Sequence, residues 1–152
     1  MLDSAKRRSV SLGYRIARLW RLNGCLLDGW LTDLSMSVGQ IPYIMSTIEK
    51  EGQTQDELST EIRVDRAATA RTLKSMEKSG LIEREQNPKN RRQKLVYPTT
   101  KGKARYDKLI PLLDHHNEVM FRGFSDDERK TAIALMDRVI ANVQCELDGE
   151  NR

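Results

Sequence analysis

Arg84, Lys89, Arg91, Arg92 and Lys94 crowd the stretch REQNPKNRRQKLVYPTTKG (residues 84–102) around an Asn87-Pro88-Lys89-Asn90 turn, with Glu85 as the one acid among them. The chemistry open to such a group is attraction and hydrogen bonding to phosphate oxygens. A charged loop is ordinarily no more than a solvated face, so the surrounding sequence has to decide. Residues 1–65 hold 8 Lys/Arg against 9 Asp/Glu, residues 66–105 hold 12 against 3, and residues 106–152 hold 6 against 10. Net charges of −1, +9 and −4 gather the cations of the chain in forty residues, the footprint a polyanion requires.

A second set of cations precedes the first, in VDRAATARTLKSMEKSGLIERE. On a helix, Arg66, Ala67, Ala70, Arg71 and Lys74 share one side, opposite Leu73 and Met76. Small alanines allow close approach to a duplex, while the cations and Ser75 reach phosphates or purine acceptors. Thr54 and Gln55, at the start of the helix before it, complete the candidate DNA contacts.

The elements that must position these residues are marked by local signals. Ser37 with Gln40, Thr54 with Glu57 and Ser125 with Glu128 each fit the capping box, in which hydroxyl and long acceptor side chain satisfy orphan amides reciprocally. They predict a helix after Ser37 carrying Ile41, Ile44, Met45 and Ile48 that stops at Gly52, a short one after Thr54 carrying Leu58 and Ile62, and a last one from Asp126 to about Leu147. Asp65 caps the cationic helix, whose inward positions are Thr69, Leu73 or Thr72, and Met76, and Gly80 ends it. Leu81–Glu85 and Lys94–Tyr97 read as strands of a hairpin closed by the Asn-Pro turn. Thr99 or Thr100 opens a helix to about Phe121, with a kink expected at Pro111. Ahead of all this, a helix from about Ser9 to Thr32, roughly 35 Å long, carries Trp20, Trp30 and several leucines, with Asn23-Gly24 as a weak point. That is more apolar surface than one small domain uses, which suggests a seam between subunits; core packing within the chain is the plainer alternative. Ile133, Met136, Val139, Ile140, Val143 and Leu147 give the last helix a similar stripe.

Helix, short helix, turn, cationic helix and basic hairpin is the order of a winged helix-turn-helix: the second helix lies in the major groove and the hairpin is the wing. The fold class is thus mainly α with a small β-hairpin wing. We read residues 1–34 as a dimerisation helix, 35–100 as the DNA-binding lobe and 101–152 as further dimerisation helices. Lys89, Arg91 and Arg92 at the wing tip follow the phosphate backbone or enter a minor groove.

At these residues the chain resembles the MarR family, the multiple-antibiotic-resistance type of transcription regulator. The likeness runs through Leu34–Gln40, Thr54-x-x-Glu57-Leu58, Asp65-Arg66, Arg71, Met76-Glu77-Lys78-x-Gly80-Leu81-Ile82, Asn87–Arg92 and Thr99-x-Lys101-Gly102. The resemblance implies a two-fold homodimer joined by its terminal helices and bound to a pseudo-palindromic operator, with recognition helices about 34 Å apart. It implies a repressor released by a small anionic or phenolic ligand or by an oxidant. The family's wing usually carries two aspartates that pair with its arginines; here Asn87 and Asn90 stand instead, which implies a tip that is more mobile and more positive.

Effector residues are less well specified. Arg15, Arg18 and Arg21, with Tyr43 and His115 or His116, would line a pocket for a small anionic aromatic effector; the plainer reading is exposed arginines and core aromatics. Cys25 matches the place of oxidant-sensing thiols in one branch of the family, although nothing around it favours the thiolate, and a buried inert thiol is the plainer expectation. His115 and His116 point about 100° apart on a helix and cannot chelate one metal together. No zinc site, metal or cofactor is expected. With two widely separated cysteines a reduced, cytoplasmic setting is expected, and neither a leader peptide nor a membrane span. Enzyme signatures such as G-x-S-x-G, a P-loop or H-E-x-x-H do not occur. The alternative from another class is an architectural, non-specific nucleic-acid binder.

Overall fold

The computed structural model describes residue 8 and residues 10–149. Its helices and strands, in chain order, are α1 (Leu12–Leu31), α2 (Ile41–Glu49), β1 (Gln53–Thr54), α3 (Gln55–Ile62), α4 (Arg66–Lys78), β2 (Ile82–Gln86), β3 (Lys94–Pro98), α5 (Thr100–Met120) and α6 (Asp126–Gly149). Two compact units result, Met1–Leu112 and Leu113–Arg152.

Caps place the helices of the first unit. Ser11 Oγ accepts the Tyr14 amide and caps α1 at Leu12; Ser9, near which a helix start was expected, lies outside the described residues. The helix runs through Asn23-Gly24 without a break. The Ser37–Gln40 box forms on a short 3-10 turn, Val38–Gln40, that leads into α2. Thr54 and Glu57 form the box that opens α3, and the reciprocal bonds from Thr54 hold the Glu57 carboxyl below its usual pKa. Asp65 Oδ1 accepts the Ala68 amide at 2.8 Å and opens α4. Gly80, at φ 71°, ends it as expected.

The core of this unit gathers Leu27 and Leu31 from α1, Tyr43 and Ile44 from α2, Leu58 from α3, Leu73 and Met76 from α4, and Ile82 and Val96 from the sheet. Within it the Tyr43 hydroxyl and Thr69 Oγ1 lie 3.0 Å apart in one buried hydrogen bond, so polar groups on α2 and α4 satisfy each other. The sheet is antiparallel with order β1-β3-β2. β2 and β3 form the expected hairpin in the register Ile82↔Pro98 to Gln86↔Lys94. The first strand was not foreseen. It is two residues long, pairing Gln53 with Val96 and Thr54 with Leu95, and two residues carry no readable alternation.

Arg84 of β2 ties the hairpin to α4, its Nε donating to Glu77 Oε2 at 3.1 Å and its Nη2 to the same oxygen. That bond, opposed by desolvation and aided by the charges of Arg84 and Lys94, keeps the Glu77 carboxyl below the usual carboxylate range. A depressed carboxyl pKa adds stability that is present above the unfolded-state value and lost as pH falls through the folded one. Arg84→Ala should therefore lower stability by about 1 kcal/mol near neutrality. In urea titrations the gap from the parent should close as pH falls below 4.5; a gap independent of pH would refute the pairing as its cause.

At the start of α5, Thr99 Oγ1 accepts the Gly102 amide at 3.0 Å and donates to the Gly80 carbonyl at 2.6 Å. Gly102 is buried so close to the Leu81 carbonyl that a Cβ there would sit 2.0 Å from its oxygen. The helix continues across Pro111 to Met120.

In the second unit, the Ser125–Glu128 box opens α6 as the sequence predicts. Phe121 meets Phe124 edge to face at 5.5 Å, and the Arg129 guanidinium lies 5.7 Å from the Phe121 ring centre. Otherwise α6 buries none of its residues: Ile133, Met136, Ile140, Val143 and Leu147 are all exposed. The same holds for the N-terminal half of α1, where Leu12, Tyr14, Ile16, Leu19, Trp20 and Leu22 face solvent. Core packing within the chain, the plainer expectation for α1, is met at Leu27 and Leu31 and fails ahead of them.

Candidate nucleic-acid interface

α3 and α4 meet at a turn in which Arg63 adopts a left-handed conformation (φ 55°) and donates its amide to the Ser59 and Thr60 carbonyls. Ser59 Oγ closes the turn onto the Val64 carbonyl at 2.6 Å. This fixes α4 with Thr69, Leu73 and Met76 wholly buried. Helical geometry then leaves Arg66, Ala67, Arg71, Lys74 and Ser75 exposed, with Ala70 half-buried beside them. Ser75 also accepts a long bond, 3.4 Å, from Gln40 Nε2.

The wing carries Lys89, Arg91 and Arg92 on exposed positions. Among the described residues, no hydrogen bond or ion pair engages their side chains or those of Arg71 and Lys74. Asparagine dipoles set the tip: Asn87 Oδ1 accepts the Lys89 amide at 2.9 Å, and Asn90 Oδ1 accepts the Arg92 amide at 3.1 Å. Gln86 Nε2 donates to the Arg91 carbonyl, while backbone bonds link Asn90 to Asn87 and Gln93 to Asn90. These neutral bonds stand where the resemblance implies aspartate–arginine pairs. A cleft of about 480 Å³ between wing and α3 has Gly52, Asp56, Glu57, Asn87, Lys89 and Gln93 on its walls.

Not every expected contact faces outward. Gln55 is half-buried, and Thr54 is buried with its hydroxyl engaged by Glu57. Conversely, sequence reasoning missed Asp56, whose Oδ1 lies 3.2 Å from Arg66 Nε. No local pattern signals a pair ten residues apart across a turn.

The remaining candidates separate. Arg15, Arg18 and Arg21 are exposed on α1, while Tyr43 is a core residue bonded to Thr69. A buried ring has no surface for an effector. In the other unit, His115 Nδ1 lies 4.0 Å from Glu118 Oε2, and partial burial lowers the pKa of His116. Cys25 is exposed, against the buried thiol expected. Among the described residues no group of three or more His, Cys, Asp or Glu is placed to hold a metal, and no helix is long and apolar enough to cross a membrane.

Comparison with known proteins bears on this arrangement. Residues 37–94, from the cap of the 3-10 turn to the start of β3, match the family model described as the MarR family. An HTH-type transcriptional regulator of Bacillus subtilis, YybA, is 36% identical over 112 residues, 74% of this chain and 75% of its own. The chain belongs to the MarR family. It is a transcriptional regulator of MarR type, a DNA-binding protein and not an enzyme. Solved MarR-type structures share its backbone. The crystal structure of the transcriptional regulator SlyA superposes with a TM-score of 0.85 at 27% identity, covering 91% of this chain and 98% of that one. A MarR family regulator from Listeria monocytogenes, crystallised with a 26mer DNA, gives 0.81 at 27% identity, covering 90% and 91%.

Proposed function

We propose that this MarR family member is a homodimeric, sequence-specific repressor that works in the cytoplasm on a pseudo-palindromic operator and leaves it when a small anionic or phenolic ligand, or an oxidant, binds or reacts. The observation that carries the DNA reading is α4 itself: Thr69, Leu73 and Met76 are wholly buried, while Arg66, Ala67, Arg71 and Lys74 stand exposed on the other side. A helix anchored that firmly presents its outer face as a rigid reading surface. Lys89, Arg91 and Arg92 extend the contact to the phosphate backbone. Dimerisation is supported by the exposed apolar residues of α1 and α6, which a second copy would remove from water. Release is then a shift between spacings of two reading heads, and a ligand acts only through its differential affinity for them. Arg15, Arg18, Arg21, His115, His116 and Cys25 are the residues proposed to take part in that response.

Selection of bound duplexes from a random pool tests the reading directly. It should return two inverted half-sites one helical turn apart, about 10 base pairs centre to centre. Recovery of unrelated sequences would point to an architectural binder. Arg71→Ala should weaken the selected site by about 1–3 kcal/mol and relax preference at one base pair. Arg91→Ala should instead weaken all duplexes alike and flatten the salt dependence by about one charge. Equal losses across sequences for both variants would refute this division of labour.

A further inference from the structure

We propose that Asp56 is a positioning residue for Arg66, directing its guanidinium to a base edge rather than to a phosphate; this rests on the DNA-reading role of α4 argued above. Arg66 is the first residue of α4, where the positive end of the helix dipole makes a cation unfavourable and no acid lies in the first turn. Its placement therefore does not serve the helix. Asp65, the neighbouring acid, has Oδ1 engaged by the Ala68 amide. The compensating carboxylate comes from another element: Asp56, in the first turn of α3, has Oδ1 3.2 Å from Arg66 Nε.

The atom that is paired matters. The carboxylate lies nearest Nε, on the inner side of the guanidinium, and no hydrogen bond among the described residues engages Nη1 or Nη2. Those two groups form the fork that meets the O6 and N7 acceptors of a guanine. Both side chains are solvent-facing, Arg66 at 77% and Asp56 at 50%, so the pair adds little to stability and its effect falls on what Arg66 binds. A phosphate approaching Arg66 also meets the carboxylate beside it and is repelled, whereas a neutral base edge is not. Holding the side chain in one pose further lowers the ordering cost of a bidentate contact.

A double-mutant cycle on the full chain decides the matter, using the duplex selected by the wild-type protein, its single-base variants and a random duplex, over a range of salt concentrations. Asp56→Ala should bind random duplex more tightly, steepen the salt dependence by about one charge, and lose about tenfold discrimination at one base pair. Arg66→Ala should lose discrimination at that same base pair, and the double variant should lose no more than either alone. If Asp56→Ala shifts selected and random duplexes by one common factor, or if the losses of the two single changes add, the positioning role is overturned while the regulator reading stands. A wild-type protein with no sequence preference at all would overturn both.

Discussion

Gly102→Ala will destabilise the protein by about 3 kcal/mol, although alanine is the better helix former by about 1 kcal/mol. The two effects have opposite signs, so the measured sign decides between them. Gly102 lies in the first turn of α5, and a Cβ built on it comes within 2.0 Å of the Leu81 carbonyl oxygen and 3.1 Å of its carbon. Both obstacles are backbone, so no rotamer change relieves them. That carbonyl also accepts the Thr99 amide at 3.1 Å and its hydroxyl at 3.3 Å, so moving it aside lengthens the bonds that dock α5 on the end of α4. Chemical denaturation of parent and variant, with the midpoint and its slope both recorded, gives the answer. An unchanged or raised midpoint would mean that the close approach is absent in solution.

If the proposed dimer is joined through α1 and α6, Trp20→Glu combined with Ile140→Glu will yield a monomer and weaken binding to the selected duplex by more than about 100-fold. Trp20 is 71% exposed on α1 and Ile140 46% exposed on α6, so in the isolated chain both glutamates stay in water and the fold has no reason to suffer. Across a subunit seam the same carboxylates would be buried without partners, which costs several kcal/mol each. Sedimentation equilibrium reads the mass, circular dichroism checks the fold, and titration of a two-half-site duplex reads the affinity. Persistence of a dimer with both glutamates present would remove the terminal helices from the seam.

How much of this was legible in the residues depended on distance along the chain. The caps at Thr54, Asp65 and Ser125 and the stop at Gly80 are short-range devices whose partners lie within three residues or in the local backbone, and each was found where the sequence places it. The buried and exposed sides of α4 follow from helical periodicity alone. What escaped is joined over longer separations. The strand at Gln53–Thr54 exists because Val96 and Leu95 lie opposite it, the start of β2 moves to Ile82 because the Leu81 amide still bonds back to Met76, and Asp56 reaches Arg66 across the turn. Tyr43 belongs to the same class. Read alone it is an aromatic suited to a pocket, and only its bond to Thr69, 26 residues on, makes it part of the interior.

The asparagine dipoles at the end of the hairpin have a consequence for how this regulator meets changing conditions. Asn87 and Asn90 carry no proton to titrate and no charge for counterions to mask, so neither acidification nor added salt unlatches the loop they hold. On the proposed DNA reading, dissolved ions will damp the pull between Lys89, Arg91, Arg92 and a duplex while the outline those residues present stays as it was. Strength of grip and shape of grip are thereby governed by separate groups, and osmotic stress can dim the first without blurring the second.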